Sequence, residues 1–263
     1  MSARHTYLDR ILAAHRDRVS RDQRDLGALV EQCGRLEACR GFRQRLVDDA
    51  RTGLAVIAEI KRRSPSKGDL AAALDPLTVA RSYAAGGASC LSVLTDADHF
   101  GGSVDDLRVA RRACSLPVLR KDFTVSGLDV CDARLMGADC VLLIAAALDD
   151  GELGSFHDLA RRLGLDVLVE IHDEAELDRA LAVGADLVGV NQRDLVTFAV
   201  DHERALRMAS KMPSHVVRVA ESGVRGVDDA RDLHDAGYQA VLVGESLVTA
   251  SDPEGAVRAL RSV

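Results

Sequence analysis

Glu59 and Lys61 stand two residues apart where an apolar run beginning at Leu54, LAVIAEIKRRSPSKGD, turns abruptly polar. Side chains alternate faces along a strand, so this carboxylate and ammonium point to the same side. Such a pair is either an ion pair capping a strand or part of a site that moves protons. Similar residues close other apolar runs: Lys121 with Asp122 in PVLRKDF, Glu170 in DVLVEIH, Asn191 in DLVGVNQ, Glu221 and Ser222 in VVRVAES, and Gly244, Glu245 and Ser246 in AVLVGES. One charged residue at a strand end is most often a solvated group. Two lysines and three glutamates converging on one mouth would instead be a set of general acids and bases, provided their neighbours drive their pKa values apart.

The runs that must position these residues number eight: LAVIAEI, CLSVLT, PVLRKDF, CVLLIAA, DVLVEIH, DLVGVNQ, VVRVAES and AVLVGES. Helix-like segments rich in Ala, Leu, Arg and Asp, such as DEAELDRALAVG, lie between them. Four junctions, AGGASCLSV, LMGADCVLL, AVGADLVGV and DAGYQAVLV, repeat one pattern of helix, closing Gly, short link and strand. Strands apolar nearly throughout are buried on both faces, as parallel strands are. Eight such units predict an α/β fold, a closed (β/α)8 barrel in preference to a doubly wound sheet, with the polar strand ends on its catalytic face. Residues 1–263 read as a single domain, with residues 1–53 as an N-terminal helical extension of two amphipathic helices and a third short one, CRGFRQRLVDDA.

The chain of 263 residues is 47% hydrophobic, enough for a sizeable core, and its 34 basic and 41 acidic residues are interspersed. No basic stripe appears and Trp is absent, so a nucleic-acid partner is not expected. Six cysteines without a CxxC pair, and no clustered histidines, do not build a zinc site. The N-terminus lacks the apolar core of a signal peptide and no run approaches membrane-spanning length. The expectation is a soluble, cytoplasmic chain, a monomer or weak homo-oligomer, acting on a small molecule without membrane contact. AESGV and VGESL each place a Gly where a strand opens into a loop, and backbone N–H groups at such turns bind phosphate. Gly223 or Gly244 alone would mean no more than a tight turn. Matched after strands seven and eight, where phosphate sites recur in such barrels, they point to a phosphorylated substrate.

These stretches resemble the indole-3-glycerol phosphate synthase family. AEIKRRSPSKGD, SVLTDADHFGGS, PVLRKDF, LVEIHDEAELDRAL, GVNQRDL, VAESGV and VLVGESL occur in the family's order from Ala58 to Leu247, and the N-terminal helices are similar too. The resemblance implies a (β/α)8 (TIM) barrel and a carboxy-lyase of tryptophan biosynthesis. Its substrate would be 1-(o-carboxyphenylamino)-1-deoxyribulose 5-phosphate, and no metal or organic cofactor is implied. Position by position it implies Lys121 as general acid in ring closure, and Lys61 as the cation on the substrate carboxylate and an acid in dehydration. Glu170 and Glu59 would be acid/base carboxylates, the division of steps between them open, and Asn191 and Glu221 would hold substrate hydroxyls and the lysines. Ser64, Ser222, Gly223, Gly244 and Glu245 match phosphate-holding positions. Phe100, Phe123, Leu142, Ile144, Arg193 and Leu195 match the pocket for the anthranilate ring. The chain departs from the family after KDFTVS: a Pro-Tyr or Tyr-Gln segment is replaced by Gly127 and Leu128, at the turn before the next helix. A phosphoribosyl isomerase would use a carboxylate pair, without two lysines. A Schiff-base aldolase would need a lysine in an apolar setting. A non-catalytic sugar-phosphate binding module would be expected to lose Lys61, Lys121 or Glu170, and all three are present.

Overall fold

The computed structural model describes residues 6–263 apart from Ser66 and Leu195, the latter one of the residues assigned by resemblance. Its barrel strands are β1 (Ala55–Ile60), β2 (Cys90–Leu94), β3 (Val118–Lys121), β4 (Cys140–Ile144), β5 (Asp166–Ile171), β6 (Leu187–Asn191), β7 (Val217–Glu221) and β8 (Ala240–Val243). Each pairs in parallel with the next, and β1 pairs with both β2 and β8, so the sheet closes as the repeat predicts. The four junction glycines, Gly87, Gly137, Gly184 and Gly237, all have positive φ, the left-handed conformation that ends a helix.

Strand period divides the core in two. Along β1, Val56, Ala58 and Ile60 face the surrounding helices, whereas Ala55 and Ile57 face the barrel axis with Leu119, Leu142, Leu168, Val219 and Leu242. Glu59 is the next inward position above Ile57, and Lys61 the next again, just past the end of the strand. Apolar filling therefore gives way to the polar residues toward the strand C-termini.

The extension forms three helices, α1 (Tyr7–Ser20), α2 (Leu26–Gly34) and α3 (Phe42–Asp49). α3 plugs the bottom: Phe42 and Leu46 are wholly buried in the axial core, and the Phe42 carbonyl accepts a bond from Cys90 Sγ at 3.6 Å. The Arg43 N–H donates to Asp166 at the start of β5, at 2.8 Å. α2 lies against the helix Gly127–Met136, with Cys33 Sγ 3.6 Å from the Cys131 carbonyl. The departure at Gly127 falls at this contact. Ser126 caps that helix, and a Cβ at Gly127 would stand 3.2 Å from a Leu159 methyl and 3.3 Å from a Leu26 methyl, so a larger residue here would have to shift these side chains by a few tenths of an ångström. All six cysteines are free thiols.

Candidate active site

The strand C-termini surround one cavity of about 600 Å³. Glu59, Lys61, Lys121, Glu170, Asn191 and Glu221 all line it, although they come from five strands and the turn after the first. Lys61 Nζ lies 2.6 Å from Glu59 Oε1, and Ser92 Oγ on β2 donates to the other oxygen at 3.4 Å. Lys121 Nζ lies 3.2 Å from Glu170 Oε2 and 3.5 Å from Glu221 Oε2. Asn191 Nδ2 donates to Glu170 Oε1 at 3.0 Å. Two glycines make room for the carboxylates: a Cβ at Gly189 would stand 2.0 Å from Glu221 Oε1, and one at Gly244 would stand 2.4 Å from Glu59 Oε1. Gly244 thus bears on the charged end of the cavity as well as on the loop above it.

Burial alone would push Glu59 and Glu170 upward, but the lysine charges overcome it and hold both below the usual carboxylate range. Lys121 goes the other way. Its burial disfavours the ammonium, yet Glu170, Glu221 and Glu59 together raise its pKa well above that of an ordinary lysine. Glu221 is the exception among the carboxyls. It is buried, its oxygens have no hydrogen-bond partner, and its pKa is pushed up to about 8, first by burial, against the Lys121 charge and with the carboxylates Glu170 and Glu59 adding. With Glu221 protonated at neutral pH, two ammonium groups face two carboxylates and the centre is electrically balanced.

One wall is apolar, built from Phe100, Phe123, Leu142 and Ile144, with Arg193 at its edge. The Arg193 guanidinium donates to the Phe198 carbonyl at 3.1 Å, and the Arg193 backbone N–H donates to Asn191 Oδ1 at 3.0 Å. The other end holds Ser64, Ser222, Gly223, Gly244 and Glu245. Ser222 and Gly223 are consecutive residues with positive φ, and Gly244 caps the short helix Glu245–Val248. Lys67 reaches across from the loop after β1 to pair with the Glu245 carboxylate. Every described residue assigned from the sequence therefore lines the same cavity. Phe198, His202 and Arg225 line it as well and were not foreseen, because they lie on loops where no periodicity marks a facing side.

The extension reaches this cavity too, which the sequence did not reveal. Tyr7 of α1 meets the Phe198 ring edge-on at 5.3 Å. Farther along α1, buried His15 Nε2 lies 3.0 Å from Asp96 Oδ2 and 4.0 Å from Asp122 Oδ1, with its ring 5.4 Å from Phe123. Among the described residues these three are the only set close enough to hold a metal ion. Their oxygens are already engaged: Asp96 by His15, His99 and two backbone N–H groups, Asp122 by Thr95, Arg120 and the Phe123 N–H. The set is a hydrogen-bonded strut behind the apolar wall.

The family described as indole-3-glycerol phosphate synthase matches residues 8–260. The chain is 57% identical over 211 residues to the indole-3-glycerol phosphate synthase of a Nocardioides species, covering 80% of this chain and 81% of that one. It is 48% identical over 221 residues to the same enzyme of Koribacter versatilis, covering 84% and 85%. Among solved structures, 3-hexulose-6-phosphate synthase from Salmonella typhimurium is similar at a TM-score of 0.64 and 16% identity, over 79% of this chain and 97% of that one. Thiamine phosphate pyrophosphorylase from Pyrococcus furiosus is similar at 0.59 and 17%, over 81% and 95%. At these identities the structural likeness is one of barrel fold alone. No helix among the described residues is long and apolar enough to cross a membrane.

Proposed function

The chain belongs to the indole-3-glycerol phosphate synthase family, and from that premise we propose how its cavity closes the indole ring. The reaction converts 1-(o-carboxyphenylamino)-1-deoxyribulose 5-phosphate to indole-3-glycerol phosphate, CO₂ and water. The observation that carries the assignment is the interleaving of Lys61 and Lys121 with Glu59, Glu170 and Glu221 at one end of a cavity whose wall is apolar.

The aryl ring of the substrate lies against Phe100, Phe123, Leu142 and Ile144, and Lys61 faces its carboxylate. Attack of the ring carbon on the ribulose carbonyl builds negative charge on oxygen, and Lys121 supplies the proton. Its raised pKa keeps it an ammonium throughout the neutral range. An alkoxide is far more basic than an amine, so that ammonium remains a competent donor. Loss of CO₂ restores an electron pair to the ring. Dehydration then takes a proton from carbon and expels hydroxide, which calls for a carboxylate base, Glu170 or Glu59, together with an ammonium acid. Both carboxyls are held ionised for that task. At the far end the phosphate meets the Ser222–Gly223 turn and the first amides of the helix after β8, with Ser64 from the loop after β1. Lys67 and Arg225 supply positive charge there. Anchoring a remote phosphate orients the reacting carbons.

The test is to incubate the protein with this substrate and follow indole absorbance and fluorescence, which no tryptophan in the chain obscures. Lys121→Ala is expected to lower kcat by roughly 10²–10⁴-fold, the usual contribution of a general acid, with KM changed far less. No indole from the wild type, or near-normal turnover by the variant, would overturn the assignment.

A further inference from the structure

We propose that His172 is a positioning residue that holds Glu170 as a carboxylate from the side away from the substrate, with Glu176 holding His172 in turn. The inference rests on the reading of Glu170 as an acid/base group of the ring-closing reaction.

His172 follows Glu170 by two residues and so shares its face at the end of β5, yet it does not line the cavity. Its Nε2 is buried without a hydrogen-bond partner and stands 3.8 Å from Glu170 Oε1. That oxygen's other neighbour is the Asn191 amide, at 3.0 Å. On the far side of the ring, Nδ1 lies 3.1 Å from Glu176 Oε2, and the same oxygen accepts the His172 backbone N–H at 2.7 Å. Glu176 lies in the first turn of the helix Glu174–Ala182 and is fixed there from two directions. A neutral ring bonded to Glu176 through Nδ1–H would turn a bare lone pair toward the Glu170 carboxylate, which is repulsive. The imidazolium turns an N–H there instead, so two carboxylates enclose one cation.

The charges facing the ring agree. Burial would lower its pKa, but the Glu176 bond and the Glu170 charge raise it above the ordinary histidine value, with Arg204 from the helix after β6 opposing. Glu170 in turn feels Lys121 first and His172 second as the charges holding it down. An opposite charge this close moves a carboxyl by about one pH unit or more.

The experiment is the pH profile of kcat in the intact enzyme with the carboxyphenylamino substrate. In His172→Gln, Glu170 gains affinity for its proton, so the acid-side midpoint of the kcat profile is expected to rise by about one pH unit relative to wild type, and the ratio of kcat at about pH 5.5 to kcat at about pH 7.5 to fall. KM should stay within twofold, because His172 does not reach the cavity. Glu176→Gln, which leaves the ring in place, should shift the ratio the same way by less, and the double variant should go no further than His172→Gln. A simple packing role would lower kcat equally at both pH values. Equal ratios in folded His172→Gln and Glu176→Gln, or a KM change without a ratio change, would overturn the proposal while leaving the proposed reaction intact. Near-normal turnover by Glu170→Gln would overturn the reading of Glu170 itself and the proposal with it.

Discussion

Five ionisable side chains share a space where a charge on any one would be costly alone, and their mutual arrangement decides which carry charge. Lys121 is held between Glu170 and Glu221, and Lys61 against Glu59. Glu221 is the third carboxyl against two ammonium groups, and it is the one that keeps its proton, up to about pH 8. In the unfolded chain the same group ionises near its ordinary value of 4.5. Between those two values the folded state binds the extra proton, so Glu221 makes stability fall as pH rises through that window. Glu221→Gln mimics the protonated form and should flatten the fall. Its Tm should exceed that of wild type by several degrees at pH 8.5 and differ least at pH 5. His172, also raised, adds a decline of the same sign in both proteins, so the difference between the two slopes is the quantity to read. Parallel Tm profiles would place the proton elsewhere.

At the scale of elements, the strands deliver the lysines and glutamates of the cavity and α1 braces its apolar wall. Asp96 caps the short helix Ala97–Phe100, and Asp122 accepts the N–H of Phe123, so the two carboxylates joined by His15 fix the backbone of two aromatic walls. His15→Ala would leave Asp96 short of a buried donor, a loss of about 1–3 kcal/mol, and loosen both rings. The expected result is a lower Tm and a KM raised several-fold with kcat nearly unchanged. A kcat loss without a KM change would contradict a bracing role. Strand period made the lysines and glutamates legible from the sequence, because two-residue spacing at an apolar run's end fixes both face and height. It also made His172 legible in principle, since His172 repeats that spacing after Glu170. The brace at His15 was not legible: an amphipathic stripe shows that a helix is covered, not what covers it. Nor was the role of Gly189, whose empty Cβ position is demanded by Glu221 on the neighbouring strand.

For the molecule as a whole, the repeat of strand and closing glycine was enough to read a barrel, whereas the extension's placement depends on contacts far apart in sequence. Its three helices touch the barrel at three places: α1 at the mouth of the cavity, α2 on the helix Gly127–Met136, and α3 across the bottom. α3 matters most for cohesion, because a barrel axis filled by Ala55, Cys90, Cys140, Leu187 and Ala240 would open to water below without Phe42 and Leu46. Phe42 is packed among residues from several strands, so its removal should weaken them together. Phe42→Ala is expected to destabilise the protein by about 3–5 kcal/mol, the range for a fully buried aromatic. The loss should show as one earlier cooperative transition, with far-UV circular dichroism and thiol exposure of the axial Cys90 and Cys140 moving together. If the extension were an independent appendage, Phe42→Ala would instead split the transition, releasing helical signal first while both axial thiols stayed protected until the barrel melted at its wild-type midpoint.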